Sequence, residues 1–224
     1  MSQTIRLIAV LALCLPGLLL AQDKKKSAEQ VWNDLYSKRE GKEHQFNKFL
    51  AESVKGKAPG KALDIGMGQG RNSMFLAALG WEVTGFDISD VAVKQAQAEA
   101  QKRGLKIDAK VGDVDKFDYG KDRYDLIVGM YMHEYLNRNA KKVVAALKPG
   151  GMLVVEGIQR DINKANLQGE KYGYFPNELP KIFSALRVRH YEDVVTQSDW
   201  DRSGGKPVPV VRLLATKEDL KAVK

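Results

Sequence analysis

Residues Ala62-Leu63-Asp64-Ile65-Gly66-Met67-Gly68-Gln69-Gly70-Arg71-Asn72 have the types and spacing to do chemistry. A short apolar strand runs into glycines at every second position, and a helix begins directly after them. Glycine has no Cβ and tolerates φ > 0, so main chain here can approach a ligand closely. The start of the helix points unpaired N–H groups at whatever is bound. A second strand, Glu82 to Phe86, then ends in Asp87. In open α/β sheets an acid about 20 residues beyond the glycines hydrogen-bonds ribose hydroxyls. One βαβ unit therefore offers a nucleoside site.

The spacing selects the kind of nucleoside. A dinucleotide fingerprint reads G-x-G-x-x-G/A, because a pyrophosphate must rest on the helix N-terminus. Here the pattern is D-x-G-x-G-x-G, with Arg71 where that third glycine would stand and Asp64 two residues before the first. A carboxylate at that place repels phosphate and suits a cation. Three more segments follow in order at βα spacing: Gly112-Asp113-Val114, the strand run Tyr124-Asp125-Leu126-Ile127-Val128-Gly129, and Leu147-Lys148-Pro149-Gly150-Gly151 leading into Met152-Leu153-Val154-Val155. Over residues 57–158 the chain resembles the class I S-adenosylmethionine-dependent methyltransferases, whose motifs have this form and order.

That resemblance implies S-adenosyl-L-methionine as cofactor, held by Asp64, Gly66, Gly68, Gly70, Asp87, Ile88, Asp113, Val114 and Met130. Asp64 would orient the turn and the methionine end, and Asp87 the ribose. Asp113 would meet the adenine amino group, with Val114 packed on the ring. The acceptor side follows the fourth strand, at Gly129-Met130-Tyr131-Met132-His133-Glu134-Tyr135. This segment lacks the N/D-P-P-Y motif of many base-directed amino-methyltransferases, and the cysteine that a cytosine C5 enzyme needs is absent from it. His133 is the candidate base, since imidazole titrates near neutrality, or else caps the next helix. Tyr131, Tyr172, Tyr174 and Phe175 are candidate substrate contacts, the last three as an aromatic lid. With Gly70-Arg71-Asn72-Ser73 and Val210-Val211-Arg212-Leu213-Leu214-Ala215, this part is loosely similar to the tellurite-resistance and thiopurine-type enzymes. These act on small, soft or heteroaromatic acceptors, so a small-molecule partner is expected.

The elements that must position these residues alternate. Helix signals fall at Ser27–Lys38, Glu43–Lys55, Arg71–Leu79, Ser89–Arg103, Arg138–Leu147 and Asn177–Leu186. Ser89 is a helix N-cap and Gly104 a C′ residue. Strand runs lie between them, which predicts parallel pairing with right-handed crossovers. After Leu186 come two β-rich runs, Arg187–Thr196 and Pro207–Thr216, joined by the turn-forming Asp201–Lys206. The expected fold class is α/β: a Rossmann-like, doubly wound, seven-stranded sheet, mostly parallel, closed by a C-terminal antiparallel hairpin.

Composition sets the outer bounds. The chain has 224 residues, 44% hydrophobic, with a formal net charge of +8, enough for one globular core. Lysines and arginines are spread along it, often facing acids at helical spacing as in Glu99 and Arg103, so a nucleic-acid partner is not indicated. The single cysteine, Cys14, and three scattered histidines give no metal-ligand spacing, so no metal is expected. Arg6 precedes an apolar run from Leu7 to Ala21. Residues 1–21 read as a secretory signal peptide, placing the protein outside the cytoplasm, or as an uncleaved, cytoplasm-facing membrane anchor favoured by Lys24-Lys25-Lys26. Residues 22–56 would form N-terminal helices and 57–224 the methyltransferase domain. The competing readings are an RNA or protein methyltransferase and a non-catalytic domain that binds the cofactor. A nicotinamide oxidoreductase fits worst, because Gly70 is misplaced for it.

Overall fold

The computed structural model describes residues 26–39, 45–160, 173–197 and 207–219. The leader, Tyr172 and the turn from Asp201 to Lys206 lie outside the described residues. Two helices come first, α1 (Ala28–Ser37) and α2 (Lys48–Val54). They are followed by β1 (Lys61–Ile65), α3 (Arg71–Ala78), β2 (Glu82–Asp87), α4 (Asp90–Lys102), β3 (Ile107–Val111) and β4 (Tyr124–Met130). Then come α5 (His133–Ala146), β5 (Leu147–Ile158), α6 (Glu178–Ile182), β6 (Arg187–Gln197) and β7 (Pro207–Thr216). Among the described residues no helix is long and apolar enough to cross a membrane.

Local chemistry explains most of these boundaries. Ser27 and Gln30 form a reciprocal capping box on α1, and Asn47 caps α2 by accepting from Leu50 N–H. Ser89 caps α4 through Ala92 N–H, and Gly104 follows its end at φ 66°. Three helix expectations need correcting. Of the helix expected over Glu43–Lys55, the described part begins only at Lys48, behind the extended Asn47 cap. The helix expected from Arg138 starts at His133, because Tyr131 at φ 60° turns the chain straight out of β4. Its expected last residue, Leu147, is already the first of β5. The helix expected over Asn177–Leu186 is only the short α6.

The seven strands lie in the order β3-β2-β1-β4-β5-β7-β6. The first five pair in parallel, whereas β7 is antiparallel to both β5 and β6. The C-terminal pair is thus antiparallel, as its turn residues implied. Its order is informative: the later strand, β7, inserts between β5 and β6. Alternating side chains fill two faces of the sheet. Leu63, Ile65, Ile127, Leu153, Val155 and Val211 pack on Leu136 and Val143 of α5 and on Leu179 and Phe183. Ala62, Leu126, Val128, Met152 and Val154 pack on Phe49, Leu50 and Val54 of α2 and Leu76 of α3. Strand order reverses between β1 and β4, so their carboxyl ends open a crevice, the place where open α/β sheets bind ligands.

Candidate active site

The glycine turn leaves β1 into this crevice, with Gly66, Gly68 and Gly70 at φ 66°, 56° and 79°. A cavity there is lined by Tyr36, Arg39, Asp64, Gly66, Met67, Gly68, Gln69, Arg71, Asn72 and Met130. A Cβ on Gly68 would stand 2.6 Å from the Tyr36 hydroxyl, and one on Gly66 would collide with the Met132 sulfur. These two glycines therefore keep the cradle open. Gly70 works differently. Its Cβ would stand 3.0 Å from Ala96 Cβ, so it lets α3 and α4 pack closely, and it does not line the cavity.

The two carboxylates are both buried. Asp64 accepts from Ser73 Oγ at 2.7 Å. Burial pushes its carboxyl up to about 6, against the opposing pull of the Ser73 bond and of Arg71. Asp87 accepts from Gly68 N–H at 2.9 Å on one oxygen and Ser89 N–H at 2.9 Å on the other. Burial raises it too, with those backbone bonds opposing. A carboxylate has about four acceptor sites, so Asp87 can brace the glycine turn and still accept from a ribose. Gly112 N–H donates to Asp87 carbonyl at 2.8 Å, which sets Asp113 beside the end of β2. Asp113 is partly exposed and accepts from Asp115 N–H, Ile88 is partly buried, and Val114 is in the core with Phe86 and Tyr119. Of the residues expected to hold the cofactor, Asp64, Gly66, Gly68 and Met130 line the cavity. Gly70, Asp87, Ile88, Asp113 and Val114 do not.

The acceptor side departs further from expectation. His133 is buried, and its Nε2 accepts from Ile158 N–H at 3.1 Å. Burial lowers its imidazole to about 4. A neutral ring whose Nε2 lone pair is committed to β5 is a tie between α5 and β5, and this geometry gives no base. Tyr174 is also corrected. Its ring packs over Gly157 and beside His133, at 5.1 Å between centroids, with its hydroxyl toward His133 carbonyl. It is core, with no face left for a substrate. Phe175 is 45% exposed with the Arg160 guanidinium 4.7 Å above its ring. Tyr131 sits at the tip of β4 with its hydroxyl donating to Glu156 at 2.5 Å. Among the described residues no group of three or more His, Cys, Asp or Glu side chains is placed to hold a metal ion.

These contacts make His133→Ala a test of assignment. It should cost about 1–3 kcal/mol of stability, the price of a buried N–H left unpaired. Calorimetric affinity for S-adenosylhomocysteine should not change, and a loss of binding would return His133 to the site. Because the folded imidazole lies below its unfolded value, its contribution is present above pH 6.5 and is lost as pH falls through about 4.

Sequence reasoning missed the wall opposite the glycines. Tyr36 and Arg39, at the end of α1, close over the turn, and α1 has no buried residue of its own. Polar bonds hold it: Asn33 Nδ2 to Asp90, Ser89 Oγ to Asn33 Oδ1, Gln95 Nε2 to Tyr36 carbonyl, and Gln69 Nε2 to Arg39 carbonyl. The capping box and the Trp32–Tyr36 pair, stacked at 5.9 Å, were the available signals.

Comparison with known proteins settles the family. A family model described as a methyltransferase domain matches residues 62–151. The chain is 33% identical over 166 residues to a ubiquinone biosynthesis O-methyltransferase of Coxiella burnetii, covering 70% of this chain and 68% of that protein. The chain belongs to the class I S-adenosylmethionine-dependent methyltransferases. This methyltransferase is also 33% identical over 89 residues to a probable S-adenosyl-L-methionine-dependent methyltransferase, TehB, of Haemophilus influenzae. That match covers 40% of this chain and 31% of TehB. The crystal structure of TehB from Haemophilus influenzae superposes with a TM-score of 0.69 at 22% identity, over 84% of this chain and 67% of that one, a likeness of fold.

The cradle fits the methyl donor of this family. A side chain on Gly66 or Gly68 would fill it, and the buried Asp64 at its floor suits a cationic ligand rather than a phosphate. When bound, S-adenosylmethionine supplies an electrophilic methyl on a positive sulfur. Asp64, Gly66, Gly68 and Met130 would hold it from the sheet side, and Tyr36 and Arg39 from α1. The protein's own part is to align two reactants and exclude water, which is worth about 7–11 kcal/mol in well-oriented systems. The methyltransferase needs no covalent intermediate of its own for this.

Proposed function

We propose that this methyltransferase acts on a small molecule whose accepting atom is already nucleophilic near neutral pH, such as a thiolate or a phenolate. The observation that carries this reading is the commitment of His133 Nε2 to Ile158, with a ring held neutral by burial. With His133 committed to Ile158, the acceptor must arrive already deprotonated or lose its proton to solvent. The name of the Coxiella relative, a ubiquinone biosynthesis O-methyltransferase, supports a small acceptor of this kind. The segment after β4 carries none of the prolines of base-directed enzymes, and a cavity closed by α1 suits a compact substrate better than a nucleic-acid strand.

Calorimetry with S-adenosylmethionine, S-adenosylhomocysteine and NAD should show binding of the first two alone. Methyl-labelled donor offered with thiols, phenols, catechols and amines should then label the more acidic acceptors first. Tight binding of NAD would overturn the donor assignment, and binding without turnover on any acceptor would favour a cofactor-sensing domain. Asp64 adds a pH test. Its carboxyl titrates near 6, so affinity for the cationic donor should rise as pH goes from 5 to 7, and Asp64→Asn should flatten that rise. The stability linkage has the opposite sign: the raised carboxyl favours the fold fully below pH 3.8, and that contribution is lost as pH rises through about 6.

A further inference from the structure

Tyr131 stands between two methionines that face the donor cradle. Met130 lines the cavity, and the Met132 sulfur lies over Gly66. Tyr131 itself adopts φ 60°, a left-handed conformation that is strained for a bulky residue. Two bonds to a single residue hold it there. Its N–H donates to Glu156 carbonyl at 2.7 Å, and its hydroxyl donates to Glu156 Oε1 at 2.5 Å.

Glu156 is 1% exposed, and its carboxylate is fixed from two other sides. Arg212 Nε donates to it at 2.6 Å from β7, and Asn47 Nδ2 at 2.7 Å from the start of α2. Asn47 leads back to the cradle, because its N–H donates to Asn72 Oδ1 at 2.9 Å and Asn72 lines the cavity. The bonds therefore run from one cavity wall to the other through one buried carboxylate. A buried ion pair contributes little net stability compared with apolar residues of similar size, so strand cohesion alone does not account for a charge here.

We propose that Glu156 is a positioning residue for methyl transfer: its carboxylate holds Tyr131 in the left-handed turn and thereby sets Met130 and Met132 against the donor site. This rests on the methyltransferase reading and adds to it a residue in the fourth strand after the glycine turn. Glu156 touches no reacting atom. It acts through Tyr131.

The test uses full-length protein labelled with methyl-13C methionine and titrated with S-adenosylhomocysteine, with affinity read by calorimetry and the methionine methyls by NMR. In the wild type, the Met130 and Met132 methyls should shift on binding. Glu156→Gln and Tyr131→Phe should each weaken binding by about tenfold, the worth of a charged hydrogen bond, and blunt both methyl shifts. In the Tyr131→Phe background, adding Glu156→Gln should weaken binding no further, because Glu156 acts through the Tyr131 hydroxyl. Wild-type affinity and shifts in Glu156→Gln would overturn the proposal, as would a second tenfold loss on adding Glu156→Gln to Tyr131→Phe. If Glu156→Gln fails to fold, Tyr131→Phe carries the same test, because it leaves the Arg212 and Asn47 bonds intact. A wild type that ignores S-adenosylhomocysteine would sink the donor reading along with this one, whereas wild-type binding with insensitive variants sinks this one alone.

Discussion

Arg212→Met should lower unfolding stability by about 3–5 kcal/mol, because it leaves a buried carboxylate without its cation. Arg212 reaches Glu156 at 2.6 Å and Glu192 at 2.8 Å, and its own side chain is only 16% exposed. The Arg212 guanidinium also lies over the Phe49 ring, 5.5 Å from its centroid; methionine fills most of that space, so the loss is electrostatic more than steric. Urea unfolding at pH 7 measures it, and a change below about 1 kcal/mol would mean that the Glu156 charge is solvated. Removing the carboxylate as well, in Arg212→Met with Glu156→Leu, should restore only part of the stability: it removes the unpaired buried charge but also takes away the acceptor of Asn47 Nδ2 and of the Tyr131 hydroxyl. That double variant should still bind S-adenosylhomocysteine poorly, because Tyr131 has lost its anchor. Stability and binding would then part company.

Asp87→Ala should be nearly as damaging, and to both properties at once. Its oxygens accept from the Gly68 and Ser89 N–H groups, which have no other acceptor among the described residues. Each orphaned buried donor costs about 1–3 kcal/mol, so the pair predicts a loss of roughly 2–6 kcal/mol. Gly68 lies in the cradle, so affinity for S-adenosylmethionine should fall by at least about tenfold. Asp87→Asn should recover part of the stability, because its amide oxygen satisfies one N–H while its NH2 opposes the other. Thermal unfolding and calorimetry on the two variants separate these effects. Unaltered affinity in Asp87→Ala would remove this carboxylate from the donor site.

Much of the sheet is legible in the sequence. The strands around Asp64, Asp87 and Leu126 and the cap at Ser89 were placed to within a residue or two, because their signals are local. Helix α5 was misplaced because its start depends on Tyr131 adopting a left-handed turn, and a tyrosine gives no sign of that in sequence. His133 and Tyr174 were read as chemistry because polar aromatics beside a strand end can be either. The packing of one ring on the other, and of Tyr174 over Gly157, made them core. The wall supplied by Tyr36 and Arg39 belongs to an amphipathic helix with no fully buried residue, held by polar bonds to α4 and the glycine turn, and the sequence does not say which element its apolar side meets.

What the amino-acid order determined alone was the glycine cradle with its acid, the alternation that forces a parallel sheet, and hence the family. These are properties of neighbouring residues: φ > 0 without a Cβ, a helix start, and a period of two or 3.6. Only the tertiary structure decided that β7 enters between β5 and β6, that α1 closes on Gly68, and that Glu156 gathers Tyr131, Arg212 and Asn47. Asn47 and Glu156 are 109 positions apart along the chain. Pairings at that range follow from how whole layers pack and which buried charge must find a partner, and no local pattern encodes them.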